Sequence, residues 1–211
     1  MTERPIIFSA PMVNAIIAGT KTQTRRMVKP PPDSRCHEAF IGADGGWYFS
    51  RIVGRSQKFA PPAAAPKPTT VSMLHLHCPY GVPGDRLWVR ETWAVPHQAD
   101  HLPPRLALPY QFCVHYAASE ERGGLLWRPS IHMPRWASRI LLEITAVRVE
   151  RLQEISEADA IAEGAPWRAC GAPQEGSHVA GLGALWESIN GPGSWDANPW
   201  VWVIEIRRVE P

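Results

Sequence analysis

The sequence predicts an α+β protein built on a closed β-barrel, with short flanking helices and long loop insertions. Three observations carry that expectation. Strand-like runs recur along the chain, at 4–8, 86–93, 111–116, 140–152 and 200–206. The helical patterns between them are short and do not alternate with the strands in βαβ order, which argues against a doubly wound sheet. The 22 prolines in 211 residues break the chain into short elements and long loops.

Arg4-Pro5-Ile6-Ile7-Phe8 reads as the first strand. Ser9 then suits a helix N-cap and Pro11 the first helical turn, where its missing N–H is not needed. Met12, Val13, Ile16 and Ile17 recur at helical spacing, and Gly19 supplies the stop. The helix therefore delivers a polar run, residues 20–26, directly after its end. From 30 to 70 the chain is rich in proline, alanine and glycine, and only Gly46-Trp47-Tyr48-Phe49 resembles a strand. This stretch reads as an insertion with little to bury. Val82-Pro83-Gly84-Asp85 is a turn that feeds the strand at 86–93, and 96–109 is again loop. In the run at 140–152, Val147 and Val149 separate from Arg148 and Glu150 onto opposite faces. Ser156 caps a short helix with acids in its first turn and Gly164 as its stop. Leu182, Leu185, Trp186 and Ile189 mark another amphipathic helix before the strongly β run that closes the chain.

Composition narrows the functional classes. With 45% hydrophobic and 20% charged residues the chain can bury a core. A net charge of +2 is too small for electrostatic binding along a duplex. No apolar run approaches the ~18 residues of a membrane span, and the opening Met1-Thr2-Glu3-Arg4-Pro5 is unlike a signal peptide, so a cytoplasmic protein with no membrane partner is expected. The four cysteines, Cys36, Cys78, Cys113 and Cys170, fall in no disulfide or zinc spacing. His75-Leu76-His77-Cys78 carries metal-type donors but lacks paired Cys-x-x-Cys units, and neither a metal nor another cofactor is expected. Phosphate-loop, dinucleotide and Gly-x-Ser-x-Gly signatures are missing from the sequence, which argues against ordinary NTPases, dehydrogenases and α/β-hydrolases.

Three places could hold chemistry. In Lys21-Thr22-Gln23-Thr24-Arg25-Arg26, a turn just after the helix would bring Lys21 beside Thr24, whereas a fully extended run would part them. A lysine of depressed pKa can take a hydroxyl proton; the same run also reads as a solvated basic turn favouring the helix C-terminus. Glu163 lies at a helix C-terminus, where the macrodipole disfavours a carboxylate, and that misplacement points mildly to function. Finally, 127–139 packs three arginines, one histidine and two tryptophans between prolines. Arg128, Ser130, His132, Arg135 and Trp136 could contact phosphates and stack bases, or plug the end of a barrel.

Ala18-Gly19-Thr20-Lys21-Thr22-Gln23-Thr24-Arg25-Arg26 resembles the Gly-x-Lys-Thr signature of ASCH domains, a branch of the PUA-like superfamily. Pro83-Gly84-Asp85, the helix at 156–163 and the closing strand at 200–207 fall in that family's order. The longer features, Cys78-Pro79-Tyr80-Gly81, Arg90-Glu91-Thr92-Trp93 and 127–139, are similar to ASCH proteins of phages and prophages. The resemblance implies a PUA-like closed β-barrel over the whole chain, interrupted by the 30–70 insertion. It implies a nucleoside or RNA as partner, with deacylation of N(4)-acylated cytidine as a family activity. Lys21, Thr24 and Glu163 fall on the family's catalytic lysine, threonine and glutamate, and Arg26 on its arginine. On that pattern Thr24 attacks the amide, Lys21 is the base, Glu163 manages the amine proton and Arg26 or a backbone N–H holds the oxyanion. Other members of the family are proposed to bind or cleave RNA. A non-catalytic binding module and a phage accessory protein with a tryptophan-lined partner surface are the alternative expectations.

Overall fold

The computed structural model of the chain describes residues 1–29, 36–42, 46–53, 70–106, 113–120, 123–169 and 176–209. Its centre is a five-stranded mixed sheet. Strand β1 (Glu3–Ile7) leads into helix α1 (Ala10–Ile17), and β2 (Gln23–Met27) follows. A separate sheet is formed by β3 (Cys36–Ile41), β4 (Trp47–Val53) and β5 (Thr70–Leu76). Next come β6 (Arg86–Arg90) and the short antiparallel pair β7 (Trp93–Ala94) and β8 (His115–Tyr116). The long strand β9 (Leu141–Arg151) is followed by α2 (Glu157–Ala162). A two-residue hairpin, β10 (Arg168–Ala169) with β11 (Gly176–Ser177), leads into α3 (His178–Asn190), and β12 (Trp200–Val209) ends the described chain.

The central sheet runs β1-β6-β9-β12-β2, parallel between β1 and β6 and antiparallel elsewhere. Strand β12 lies inside it and is covered on both faces, which explains its continuous apolar reading. Trp200, Trp202, Ile204 and Ile206 face α1 and the second sheet, in a core with Ile6, Val13, Leu87 and Ile144. Val201 and Val203 face the other way, against Trp186 of α3 and Leu152. Of the two N-caps read from serines, Ser156 accepts the Asp159 N–H, whereas Ser9 stands at the N-cap of α1 without a side-chain hydrogen bond; Ser177, which the sequence pattern did not mark, caps α3 by accepting the Ala180 N–H.

The α+β class stands, but the expected closed barrel does not form. Strands β1 and β2 are the two edges of an open sheet, and among the described residues no backbone ladder joins them. Pro5 removes a donor from β1, a residue suited to an edge. In place of a ladder, Arg26 Nη2 donates to the Ile7 carbonyl at 2.6 Å. The open side beside β2 is where the candidate site lies.

The 30–70 stretch also differs from a loose insertion. Phe49 is fully buried, its ring 4.9 Å from that of Trp200, and Trp47 meets Trp202 edge-on at 6.5 Å. Cys36 and Leu76 join the same core. The strand-like run at 46–49 is the start of β4, while its partners β3 and β5 were not legible in a stretch diluted by proline and alanine. The proline- and alanine-rich residues 54–69 lie outside the described residues. Of the expected strand at 111–116, only His115–Tyr116 is a strand among the described residues.

Candidate active site

Helix α1 ends at Ile17 with Ala18 as its C-cap, and Gly19, at φ +75°, turns the chain so that Lys21 enters the interior before β2 begins. Ladder pairing with β12 then fixes Thr24 opposite Ile204 and Arg25 opposite Val203. Helix α2 docks end-on to this segment: the Thr22 N–H donates to the Ala162 carbonyl at 2.7 Å, and Gln23 Nε2 donates to Asp159 at 2.9 Å. Gly164, at φ +74°, lets α2 stop hard against Lys21, since an added Cβ would sit 3.3 Å from the Lys21 Cβ.

Lys21, Thr24 and Glu163 consequently line one cleft, of about 390 Å³, although 139 positions separate Thr24 from Glu163. All three are more than nine-tenths buried. Phe8, Met12, Leu182, Leu185, Trp186 and Ile189 supply apolar walls, while Arg26, Thr92, Ser130 and Asn190 add polar edges. A cleft with apolar walls and a few convergent polar groups is the usual form of a small-molecule site.

The Lys21 ammonium donates to the Gln23 carbonyl at 2.7 Å and the Glu163 carbonyl at 2.6 Å, and lies 3.4 Å from Glu163 Oε1. It thus caps the C-terminus of α2 as well as pairing with a carboxylate, which answers the helix-dipole conflict at Glu163. Burial pushes the Lys21 pKa below its ordinary 10.5, with the Glu163 charge opposing that shift and Arg26 and Arg25 adding to it. Lys21 and Thr24 share the cleft but are not hydrogen-bonded to each other; the ammonium is directed to the Gln23 carbonyl of β2 and to the α2 terminus. Glu163 Oε1 accepts the Arg25 backbone N–H at 2.9 Å, whereas its shielded Oε2 has no hydrogen-bond partner. An unsatisfied buried carboxylate oxygen is costly, and here it belongs to a residue lining a cleft.

Beneath the cleft lies an ionic network that residue patterns did not reveal. The Arg25 side chain is wholly buried and donates to Glu150 Oε1 from Nη2 at 2.6 Å and from Nε at 3.1 Å. Asp159 sits 3.7 Å from the same guanidinium. Hydrogen bonds from Gln23 and Ser156 and the charges of Arg25 and Arg148 outweigh burial and hold the Asp159 pKa below its ordinary value. One signal was available: Asp159 and Glu163 are four residues apart, which puts two carboxylates on one helical face opposite a run of cations.

The 127–139 segment divides. Ser130 reaches the cleft wall. Arg128 is buried, donates to the Ala99 and Asp100 carbonyls at 3.2 Å each, and lies over Trp93. Trp136 packs edge-on against Trp93 at 5.8 Å within a second core. Arg135 pairs with Glu3 at 2.8 Å on the surface, and His132 is exposed. Arg139 forms a two-pronged pair with the buried Glu91, both contacts 2.9 Å. So the segment is chiefly a packing unit, with Arg128 buried and Trp136 half-buried against Trp93.

The rings of His75 and His77 are 4.0 Å apart, but among the described residues no group of three potential metal ligands converges. Nor is any described helix long and apolar enough to cross a membrane. Compared with protein-family models, curated proteins and solved structures, the chain matches none.

Proposed function

We propose that the chain is an ASCH-type amidohydrolase that takes an N(4)-acylated cytidine or a related acylated nucleoside into the cleft beside β2. The observation that supports this most is the meeting of Lys21, Thr24 and Glu163 in one apolar-walled cleft, with an unpartnered carboxylate oxygen on Glu163. A planar base suits walls built from Phe8, Met12 and Trp186, and its polar edge suits the buried charged floor.

The hydrogen bonds of Lys21 suggest a division of labour different from that implied by the family resemblance. With its hydrogens directed to two carbonyls and a carboxylate, Lys21 serves as a fixed cation and Glu163 as the proton acceptor. The Thr24 oxygen adds to the acyl carbon as its proton passes to Glu163. The carbon–nitrogen bond then breaks, the cytosine amine leaves with that proton, and water hydrolyses the threonyl ester to a carboxylic acid. Lys21 and Arg26 stabilise the oxyanion of the tetrahedral intermediate. We assign the protein to the cytoplasm, where thiols such as those of Cys78 and Cys113 stay reduced.

The second reading, a binding module for RNA, would draw on the basic-aromatic segment. Burial of Arg128 and the packing of a half-buried Trp136 against Trp93 weaken it, while a cleft that holds a single base without chemistry remains its strongest form. Incubating the protein with a panel of acylated cytidines and with total RNA, and following products by mass spectrometry, separates the readings. Free cytidine and the matching acid are expected. Retention of intact nucleoside or RNA without turnover favours the binding module.

A further inference from the structure

We infer that Glu150, a residue of β9 that does not line the cleft, is a positioning residue: through the buried Arg25 guanidinium it holds the Glu163 carboxylate in its working place. Arg25 contacts Glu163 twice. Its backbone N–H donates to Oε1 at 2.9 Å, and its Nη1 stands 3.7 Å from Oε2. The other side of the guanidinium is drawn to Glu150 by two hydrogen bonds of 3.1 and 2.6 Å. Glu150 is itself fixed from behind, since Arg148 donates to its Oε2 at 3.0 Å and to Glu205 of β12 at 2.6 Å. The strong attachment of Arg25 is therefore to Glu150, and the 3.7 Å separation leaves Glu163 Oε2 without a hydrogen bond.

The charges around Glu163 make the consequence definite. It faces Lys21 from the segment before β2, Arg25 and Arg26 from β2, and Asp159 from its own helix. Behind Arg25 stand Glu150 and Arg148 of β9 and Glu205 of β12. Neutralising Glu150 removes the main counter-charge of a wholly buried guanidinium. Arg25 then turns its attraction toward Glu163 and Asp159, which favours the ionised form of Glu163 and lowers its titration midpoint. As a proton acceptor Glu163 becomes weaker.

The rate readout rests on the deacylation reading; the titration readout does not. The experiment is Glu150→Gln in the full chain, with the Glu163 carboxyl followed by carbon-13 NMR across pH and its resonance identified with Glu163→Gln. The Glu163 midpoint should fall by about half a pH unit or more. With N(4)-acetylcytidine, the acidic limb of the kcat profile should move the same way, kcat should drop by about tenfold, and KM should stay within about twofold. Glu150→Asp keeps the charge on a shorter arm and should show a smaller shift of the same sign; it also serves if Glu150→Gln does not fold. An unchanged Glu163 midpoint in a folded variant overturns the inference. If the midpoint falls but the unaltered chain hydrolyses no acylated cytidine, the positioning stands and the deacylation reading fails.

Discussion

The run at 20–26 and the segment at 127–139 are both dense in arginine, yet the fold uses them in opposite ways. The first follows a helix stop and enters an edge strand, so one side of β2 pairs with β12 and the other borders a cleft. The second is folded around its own core of Trp93, Met133 and Ala137, and its Arg128 is a buried crosslink to backbone carbonyls. Arginine and tryptophan serve packing as well as recognition, so their density alone does not mark a site. What distinguishes the first run is position: its polar residues arrive at the junction of two helix ends and a sheet edge.

Mutations can break this contrast, and the largest expected effect falls in the packing segment. Arg128→Ala should destabilise the fold by about 2–3 kcal/mol, because it takes the donor from the Asp100 carbonyl and one of two donors from the Ala99 carbonyl, and removes the contact with Trp93. Urea unfolding measures this, and a loss below about 0.5 kcal/mol would mean that the side chain is free for another role. Arg135→Ala, which breaks only a half-exposed pair with Glu3, should change stability by no more than about 0.5 kcal/mol. If nucleic acid were bound along this segment, the same variant would also flatten the salt dependence of binding; we expect no change.

A subtler effect belongs to the cleft. Because the folded state holds the Lys21 pKa below 10.5, the unfolded chain binds that proton more tightly. Stability attributable to this group should therefore rise with pH between the folded value and 10.5, and be lost as pH falls through the folded value. Lys21→Met should flatten that part of the pH–stability curve. An unaltered slope would mean that Lys21 is not desolvated.

The individual elements were legible where periodicity was strong: α1, β9, α3 and β12 all follow from apolar spacing. Barrel closure was not, because the pairing of two sheet edges is a long-range event, although Pro5 was a local hint against a further ladder on β1. Of the second sheet only the start of β4 was legible, its two partner strands being masked by the prolines around them. Within the site, Lys21, Thr24 and Glu163 stood out by residue type and placement. Arg25 did not, since beside Arg26 it looked like part of a solvated basic turn, and Glu150 looked like the outward face of an alternating strand. Burying a charge is a property of the assembled sheet and not of its local sequence.

The most direct test of the account is the initial rate of N(4)-acetylcytidine hydrolysis by the unaltered chain and by Glu163→Gln, each first shown to melt cooperatively. Glutamine can keep the contact with the Arg25 N–H through its amide oxygen but cannot accept the proton. The unaltered chain should release cytidine and acetate, and the variant should be slower by about 100-fold or more with its melting temperature little changed. Equal rates in the two proteins, or no product from the unaltered chain, would contradict the assignment of this cleft as a deacylase site.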